Sequence, residues 1–338
     1  MSSEKKNKNR GKIKISDIAK AAGVSPSTVS YVLSEKRTIS DKTKKKVMEQ
    51  IELSGYKPNA VAQSLGTKKT YTIGFYYSKK SLSDDDYIFL SHVAGITSVL
   101  SPHNYKLLLL DEISDADEEY SIPINKSFAI DGAIVTCTRN IQNYLNEFEK
   151  EDMPFVLMGK PPVGVDAYYV DNDNQSVAYR SVEYLFQKGC TRIALVMGSD
   201  TAATLHMDYL AGYTLAHTNY QRELDMDLVL WVPQGISEDN FMKTLREKRV
   251  DGIIAIESWN PVVRSCCCYQ NHTDNPLPVI LFGFDLYKEF YSDCKCGHIS
   301  YIDSNAYKLG TECAKKLLKL LEEKQQQELL LTQNIKQW

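Results

Sequence analysis

Ten short apolar runs in two sets of five constrain this chain more than any other feature. The first set is Thr72–Tyr77, Lys106–Leu110, Gly132–Thr136, Phe155–Met158 and Tyr168–Val170. The second is Ile193–Met197, Leu228–Val232, Gly252–Ile256, Val279–Phe282 and Ile299–Ile302. Amphipathic stretches alternate with these runs, which is the pattern of an α/β architecture with helices covering parallel strands. The sets also echo each other. Asp131-Gly-Ala-Ile-Val135 matches Asp251-Gly-Ile-Ile-Ala255, Met153-Pro-Phe-Val-Leu-Met-Gly159 matches Leu277-Pro-Val-Ile-Leu-Phe-Gly283, and Tyr169-Val-Asp171 matches Tyr301-Ile-Asp303. Three echoes in one order predict a duplicated lobe. Two such lobes hold a ligand in the cleft between them, near the C-terminal ends of their strands.

The 338 residues leave room for a small head in front of two lobes. Ile15, Ile18, Ala19 and Ala22 fall on one helical stripe, and Gly23 suits a left-handed cap. Val24 fills a turn. Ser25 is a good N-cap, with Pro26 at the first helical position. Val29, Val32 and Leu33 form the buried face of the second helix, while Ser27, Thr28, Ser30, Tyr31 and Ser34 point outward. Ser40 opens a third helix with Thr43 in its first turn and an apolar stripe of Val47, Ile51 and Leu53. The expected head is a three-helix unit whose second helix reads a DNA groove.

Charge separates that head from a generic bundle. Residues 1–69 hold 16 Lys and Arg against 6 Asp and Glu, a balance of +10, while the remainder holds 24 against 37, a balance of −13. A basic segment gains DNA affinity by releasing condensed counterions, and an acidic body is kept away from phosphates.

The pieces Ile15-Ser-Asp-Ile-Ala19, Gly23-Val-Ser-Pro-Ser-Thr-Val-Ser30, Ile39-Ser-Asp-Lys-Thr43, Gly55-Tyr-Lys-Pro-Asn59 and Ala62-Gln-Ser-Leu65 occur in order and at fixed spacing. Together they resemble the head and hinge of the LacI/GalR family of bacterial transcription regulators. Within that family, Gly23 to Ser30 and Val170 to Ile193 are similar to maltose-type sugar operon repressors of Gram-positive bacteria. The resemblance implies a disordered basic arm over 1–12, a helix-turn-helix head over 13–57 and a hinge helix and linker over 58–69. It implies a body like periplasmic binding proteins over 70–338. Lobe 1 is expected over about 70–170 plus part of the C-terminal region, and lobe 2 over about 171–300.

The same resemblance implies site residues. Pro26, Ser27 and Tyr31 stand where base edges are read, and Thr28, Ser40, Thr43 and Asn59 stand where phosphates are gripped. Ala62 lies in the hinge motif, and Leu65 stands where a leucine wedges into a central base step from the minor groove. Tyr31 departs from the Arg or His usual there, and a tyrosine cannot make the bidentate contact that Arg makes to guanine.

Effector candidates follow the strands. Phe284 and Asp285 match an aromatic-Asp pair that faces the ligand; Glu257, Ser258 and Trp259 follow another strand end. Tyr76, Tyr77, Asp86, Tyr87 and Phe89 lie near a ligand-closing loop, with core packing as the alternative for the aromatics. Tyr209 holds the place of an Arg that grips anionic effectors in relatives, so a neutral saccharide is expected. Carboxylates, amides and aromatic faces are the groups that bind sugar hydroxyls and rings.

The expected activity is a homodimeric, sequence-specific repressor of a carbohydrate-utilisation operon, released from a palindromic operator by a neutral sugar. Two alternatives stay open: a regulator with lost or co-repressor-type ligand response, and a sugar-handling enzyme using Asp285 and Glu257 as an acid/base pair. No cofactor or metal is expected. Asp171-Asn-Asp-Asn174 reads as a turn and helix cap rather than a calcium loop, and the eight cysteines show no zinc spacing. No long apolar span or signal peptide is evident, so a reducing cytoplasmic location without disulfides is expected. Glu322 to Glu328 reads as a solvated helix end, with Leu329 to Trp338 packing back onto the body.

Overall fold

In the computed structural model, the described residues are 13–34, 39–56, 69–77, 87–111, 130–136, 141–198, 204–232, 236–256, 277–282 and 299–335. The chain divides into two compact units, one of Met1–Tyr71 with Ala129–Asp131 and one of Thr72–Phe128 with Gly132–Trp338.

Among its described residues the first unit carries three helices: α1 (Ile15–Ala22), α2 (Pro26–Ser34) and α3 (Asp41–Ser54). Each boundary has a local cause. The Asp17 carboxylate accepts from the Lys14 N–H at 2.8 Å, satisfying an orphan donor at the start of α1. Gly23, at φ +69°, ends α1 in the left-handed region. Ser25 Oγ accepts from the Thr28 N–H at 3.1 Å, and Ser40 Oγ accepts from the Thr43 N–H at 3.4 Å. Ile18, Ala19, Val29, Val32 and Val47 are buried together, with Ile15, Ala22, Val24, Leu33 and Ile51 packed around them. Leu53 departs from expectation and is 81% exposed. It lies six residues beyond Val47, on the far side of a 3.6-residue helix from the Val47–Ile51 stripe.

The second unit holds two parallel sheets. In lobe 1, β1 (Thr72–Tyr77), β2 (Lys106–Asp111), β3 (Gly132–Thr136), β4 (Phe155–Met158) and β5 (Tyr169–Val170) lie in the order β2-β1-β3-β4-β5. In lobe 2, β6 (Ile193–Gly198), β7 (Val229–Val232), β8 (Gly252–Ala255), β9 (Val279–Phe282) and β10 (Ile299–Ile302) lie in the order β10-β9-β8-β6-β7. Read from the other edge, the second order is the first one over again. Leu228, expected to open β7, instead ends a short 3₁₀ turn over Met226–Leu228.

The sequence echoes are structural equivalences. Asp131, ahead of β3, accepts from Thr70 N, Thr70 Oγ1 and Tyr71 N at 2.7, 2.8 and 2.9 Å. Asp251, ahead of β8, accepts from Thr191 N, Thr191 Oγ1 and Arg192 N at 2.9, 2.8 and 2.7 Å. The Ala133 N–H reaches Pro154 O and the Ile253 N–H reaches Pro278 O, each at 3.0 Å. Each aspartate thereby fastens the residues entering its lobe's first long strand to the strand beside it.

Helices cover both sheet faces, as parallel strands require. On one face of the lobe 2 sheet, Ala194, Val196 and Ile253 pack with Phe241 and Leu245 of α8 (Glu238–Glu247). On the other, Ile193, Leu195 and Met197 pack with Val182 and Leu185 of α6 (Asn174–Gln187) and Tyr209 and Tyr213 of α7 (Thr204–Asn219). Lobe 1 carries α4 (Tyr87–Leu100) and α5 (Ile141–Lys150), but its core is completed from the far end of the chain. Cys313, Ala314, Leu317, Leu318 and Leu321 of α9 (Ala306–Ile335) pack with Ile73, Phe75, Ile96, Ile134 and Val156. Helices α4 and α9 approach so closely that a Cβ on Gly95 would lie 2.1 Å from Tyr307 O, and one on Gly310 2.4 Å from His92 O. Helix α9 runs unbroken to Ile335, past the helix end expected near Glu322.

The lobes are joined at 171–173 and 303–305, where Asn172 Nδ2 donates to Ser304 O at 3.1 Å and Asn305 Nδ2 donates to Asn172 Oδ1 at 3.3 Å. Asp173 caps α6 by accepting from the Ser176 N–H at 3.1 Å. Among the described residues, no cluster of three or more His, Cys, Asp or Glu could hold a metal, and no helix is long and apolar enough to cross a membrane.

Two predictions follow from this packing. Asp251→Ala leaves three donors of Thr191 and Arg192 without their carboxylate and should cost about 2–3 kcal/mol in urea unfolding, while Ser237→Ala, which removes only the cap of α8, should cost about 1 kcal/mol. Burial pushes the His92 imidazole down to about 4 and lowers His217 as well. Between pH 6.5 and 4 the unfolded chain binds protons that the folded chain refuses, so stability is full above that window and falls as pH falls through it. His92→Gln should flatten this pH dependence by roughly 2–3 kcal/mol in urea titrations spanning the window.

Candidate functional site

The head presents small polar residues on the outward side of α2. Val29 and Val32 anchor one side in the core, and the 100° step per residue turns Pro26, Ser27 and Ser30 outward, where all three are exposed. Thr28 and Tyr31 are half-buried at the edge of that face. Thr28 Oγ1 lies 2.9 Å from Ser25 Oγ, and Thr43 Oγ1 lies 2.9 Å from Ser40 Oγ. Helices α2 and α3 therefore start on the same Ser-x-x-Thr device, with a pair of hydroxyls beside the exposed N–H groups of the first turn. Such an end carries a partial positive charge and donors that suit phosphate oxygens. Exposed hydroxyls along α2 can donate to or accept from base edges, which a groove presents as both kinds of partner. Asn59, Ala62 and Leu65 lie outside the described residues.

In the body, the loops after the strand ends fall mostly outside the described residues, and Asp86, Glu257, Ser258, Trp259, Phe284 and Asp285 are among them. Tyr87 is the first residue of α4. The aromatics near the first strand belong to the lobe 1 core. Phe89 stacks on Phe75 with centroids 6.0 Å apart and meets Tyr77 at 4.7 Å, and Tyr76 sets its ring against the edge of Phe148 at 5.8 Å. Burial pushes the Tyr76 phenol up to about 12.

Tyr209 is placed deeper than a residue facing an open cleft. It is fully buried in lobe 2, edge-on to Phe282 with centroids 6.3 Å apart, and its hydroxyl has no hydrogen-bond partner among the described residues. Burial, followed by the nearby Asp171 carboxylate, pushes its pKa far up, so it remains a neutral phenol. Asn174 Oδ1, at the start of α6, is likewise buried and unpartnered, although its amide nitrogen donates to Asp171 Oδ1 at 3.3 Å. A buried polar atom left without a partner costs about 1–3 kcal/mol, so such atoms gather where a partner is to be supplied.

Two residues escaped sequence reasoning. Lys160, just after β4 in lobe 1, places Nζ 2.8 Å from Oδ1 of Asp208 on α7 in lobe 2. Thr204 Oγ1 donates to Lys160 O at 2.6 Å. The Asp208 carboxylate raises the Lys160 pKa, first through this hydrogen bond and then through its charge. No periodicity marks either residue, and a lone Lys and Asp 48 positions apart read as solvated surface.

Comparison with known proteins places both units. Residues 14–59 match the family described as "Bacterial regulatory proteins, lacI family", and residues 70–236 match "Periplasmic binding proteins and sugar binding domain of LacI family". The transcriptional regulator MalR of Streptococcus pneumoniae is 29% identical over 317 residues, covering 91% of this chain and 93% of its own. A structure of the lac repressor dimer bound to operator and the anti-inducer ONPF superposes with a TM-score of 0.69 at 19% identity, covering 93% of this chain and 94% of that one. A CelR–cellobiose complex gives a TM-score of 0.61 at 19% identity, with coverage of 92% and 94%. A helix-turn-helix head and a two-lobed body, matched in that order along one chain, make this protein a member of the LacI family: a DNA-binding transcription regulator and not an enzyme.

Proposed function

We propose that the protein is a cytoplasmic homodimer that represses a carbohydrate-utilisation operon and leaves its palindromic operator when a neutral saccharide binds between the lobes. The observation that carries the effector class is Tyr209, a buried, neutral hydroxyl at the place where an arginine grips anionic effectors in relatives. Tyr209 itself brings no charge to a phosphorylated sugar, whereas a saccharide hydroxyl can pair with the phenol and with Asn174 Oδ1, which have no partner among the described residues. Phe284, Asp285, Glu257, Trp259, Asp86 and Tyr87 complete this reading of the site. The match to the sugar binding domain of the LacI family and the likeness to the CelR–cellobiose complex support the sugar class.

On the DNA side, Pro26, Ser27 and Tyr31 read base edges, while Thr28, Ser40, Thr43 and Asn59 hold phosphates and set register. The serine-rich face of α2 brings no arginine, so the half-site differs from those read through bidentate guanine contacts. The hinge over 58–69, containing Ala62 and Leu65, is too short to be helical alone in water. It orders only on DNA with a partner subunit, where the two Leu65 side chains wedge into the central step. Two heads on a two-fold dimer present two half-sites, which is why the operator is palindromic. Sugar binding needs to favour the released state by only a few kcal/mol to switch occupancy.

Operator selection from random duplexes, followed by calorimetry with maltose, cellobiose and glucose 6-phosphate, tests the whole reading. It expects a palindrome, heat from a neutral sugar that lowers operator affinity, and none from the phosphate ester. Heat from the phosphate ester alone would overturn the effector class. Leu65→Ala should weaken operator binding by about 10- to 100-fold while nonspecific binding barely changes. An equal loss on both DNAs would remove the wedge. Asp285→Ala should leave operator affinity intact and weaken the sugar by about 10- to 100-fold, the loss of a charge-assisted hydrogen bond. Retained induction would take Asp285 out of the pocket.

A further inference from the structure

We propose that Lys160, gripping Thr204 and Asp208, is a latch between the lobes that sets the balance between two interlobe arrangements in the free protein. The grip is built from both ends of one residue. The Lys160 N–H donates to Asp171 Oδ2 at 3.0 Å, and the neighbouring Gly159 N–H donates to Val170 O at 2.9 Å, so its main chain is pinned to the end of β5 and the first residue of the crossing. Its carbonyl oxygen and its ammonium then reach across to Thr204 Oγ1 and Asp208 Oδ1, at 2.6 and 2.8 Å. Thr204 and Asp208 stand one helical turn apart on a single edge of α7.

Two bonds from one anchored residue to positions i and i+4 of one helix hold only in a single orientation of that helix. A rotation about the crossings stretches one or both, and an opened ion pair admits water between its charges. The Asn172, Ser304 and Asn305 bonds differ in kind, since they tie the two crossing segments to each other. The Lys160 grip joins a loop of one lobe to a helix of the other, and so it distinguishes one lobe arrangement from another. Asp208 is largely shielded, at 17% exposed, while Lys160 is 45% exposed. The pair is therefore strong enough to bias an equilibrium and accessible enough to be broken. It also sits one residue from Tyr209, so the orientation it selects is the one that holds that phenol in its buried position.

The inference needs only the two-lobed body, and its test contains neither sugar nor DNA, so its failure is separate from failure of the saccharide reading. Spin labels carried on non-natural residues at Lys150 of α5 and Lys243 of α8, both exposed, report the interlobe distance by electron–electron double resonance in the full-length protein. The wild type should show one dominant distance. Lys160→Met and Asp208→Asn should each lower the ratio of that distance to a second one by about three- to tenfold. The double variant should fall no further than the stronger single one, and Lys160→Arg should keep the wild-type distribution. Raising salt to 1 M, where the screening length is about 3 Å, should shift the wild type towards the same second distance without any substitution. Distributions that ignore both the substitutions and the salt overturn the latch.

Discussion

A parallel sheet has to be covered on both faces, and this chain cannot meet that requirement locally. Lobe 1 begins at β1, yet part of its cover is α9, and Cys313, Leu317 and Leu321 reach its core only after the chain has built the whole of lobe 2. The chain must therefore cross between the lobes at least twice, at 171–173 and at 303–305. Those crossings are bound to each other through Asn172, Ser304 and Asn305, which makes them a shared axis rather than two independent tethers. The axis between the lobes is owed to the need to bury apolar strand faces.

Charge is distributed to match. The basic head and the acidic body are both plain in the sequence, and the structure adds where charge is withheld. The outward face of α2 offers serines and a proline in place of long cations. In the body, Tyr209 is a phenol that burial keeps neutral. Both places offer hydroxyl groups in place of charge, and the selectivity of short hydrogen bonds depends on shape more than on salt.

Much of this was legible in the sequence for physical reasons. All ten strands appear within a residue or so of their expected places because parallel strands covered by helices read as short apolar runs. Ser25 and Ser40 cap their helices because a serine before a helical stripe has few better uses. The echo around Asp131 and Asp251 was visible as sequence, although its meaning, one carboxylate fastening a Thr-x pair ahead of a strand, needed coordinates. Misreadings came where periodicity is weak. Leu53 was drawn into a stripe by its hydrophobicity alone, and its register puts it in solvent. Polar residues near Glu322 suggested a helix end, but no glycine or proline is there to stop the helix. Lys160 and Asp208 carry no pattern, because a pair formed between lobes leaves no trace in local spacing.

The placement of α9 bears on how the molecule is made. Synthesis proceeds from the N-terminus, and domains tend to fold as their residues emerge. Lobe 2 has every strand once Ile302 is out of the ribosome, whereas lobe 1, whose first strand emerges some 120 residues before the first strand of lobe 2, still lacks Cys313 to Leu321. The half of the body that starts first is therefore finished last. A nascent chain halted before residue 313 carries an open apolar sheet face, which makes the C-terminal helix the checkpoint for a complete regulator.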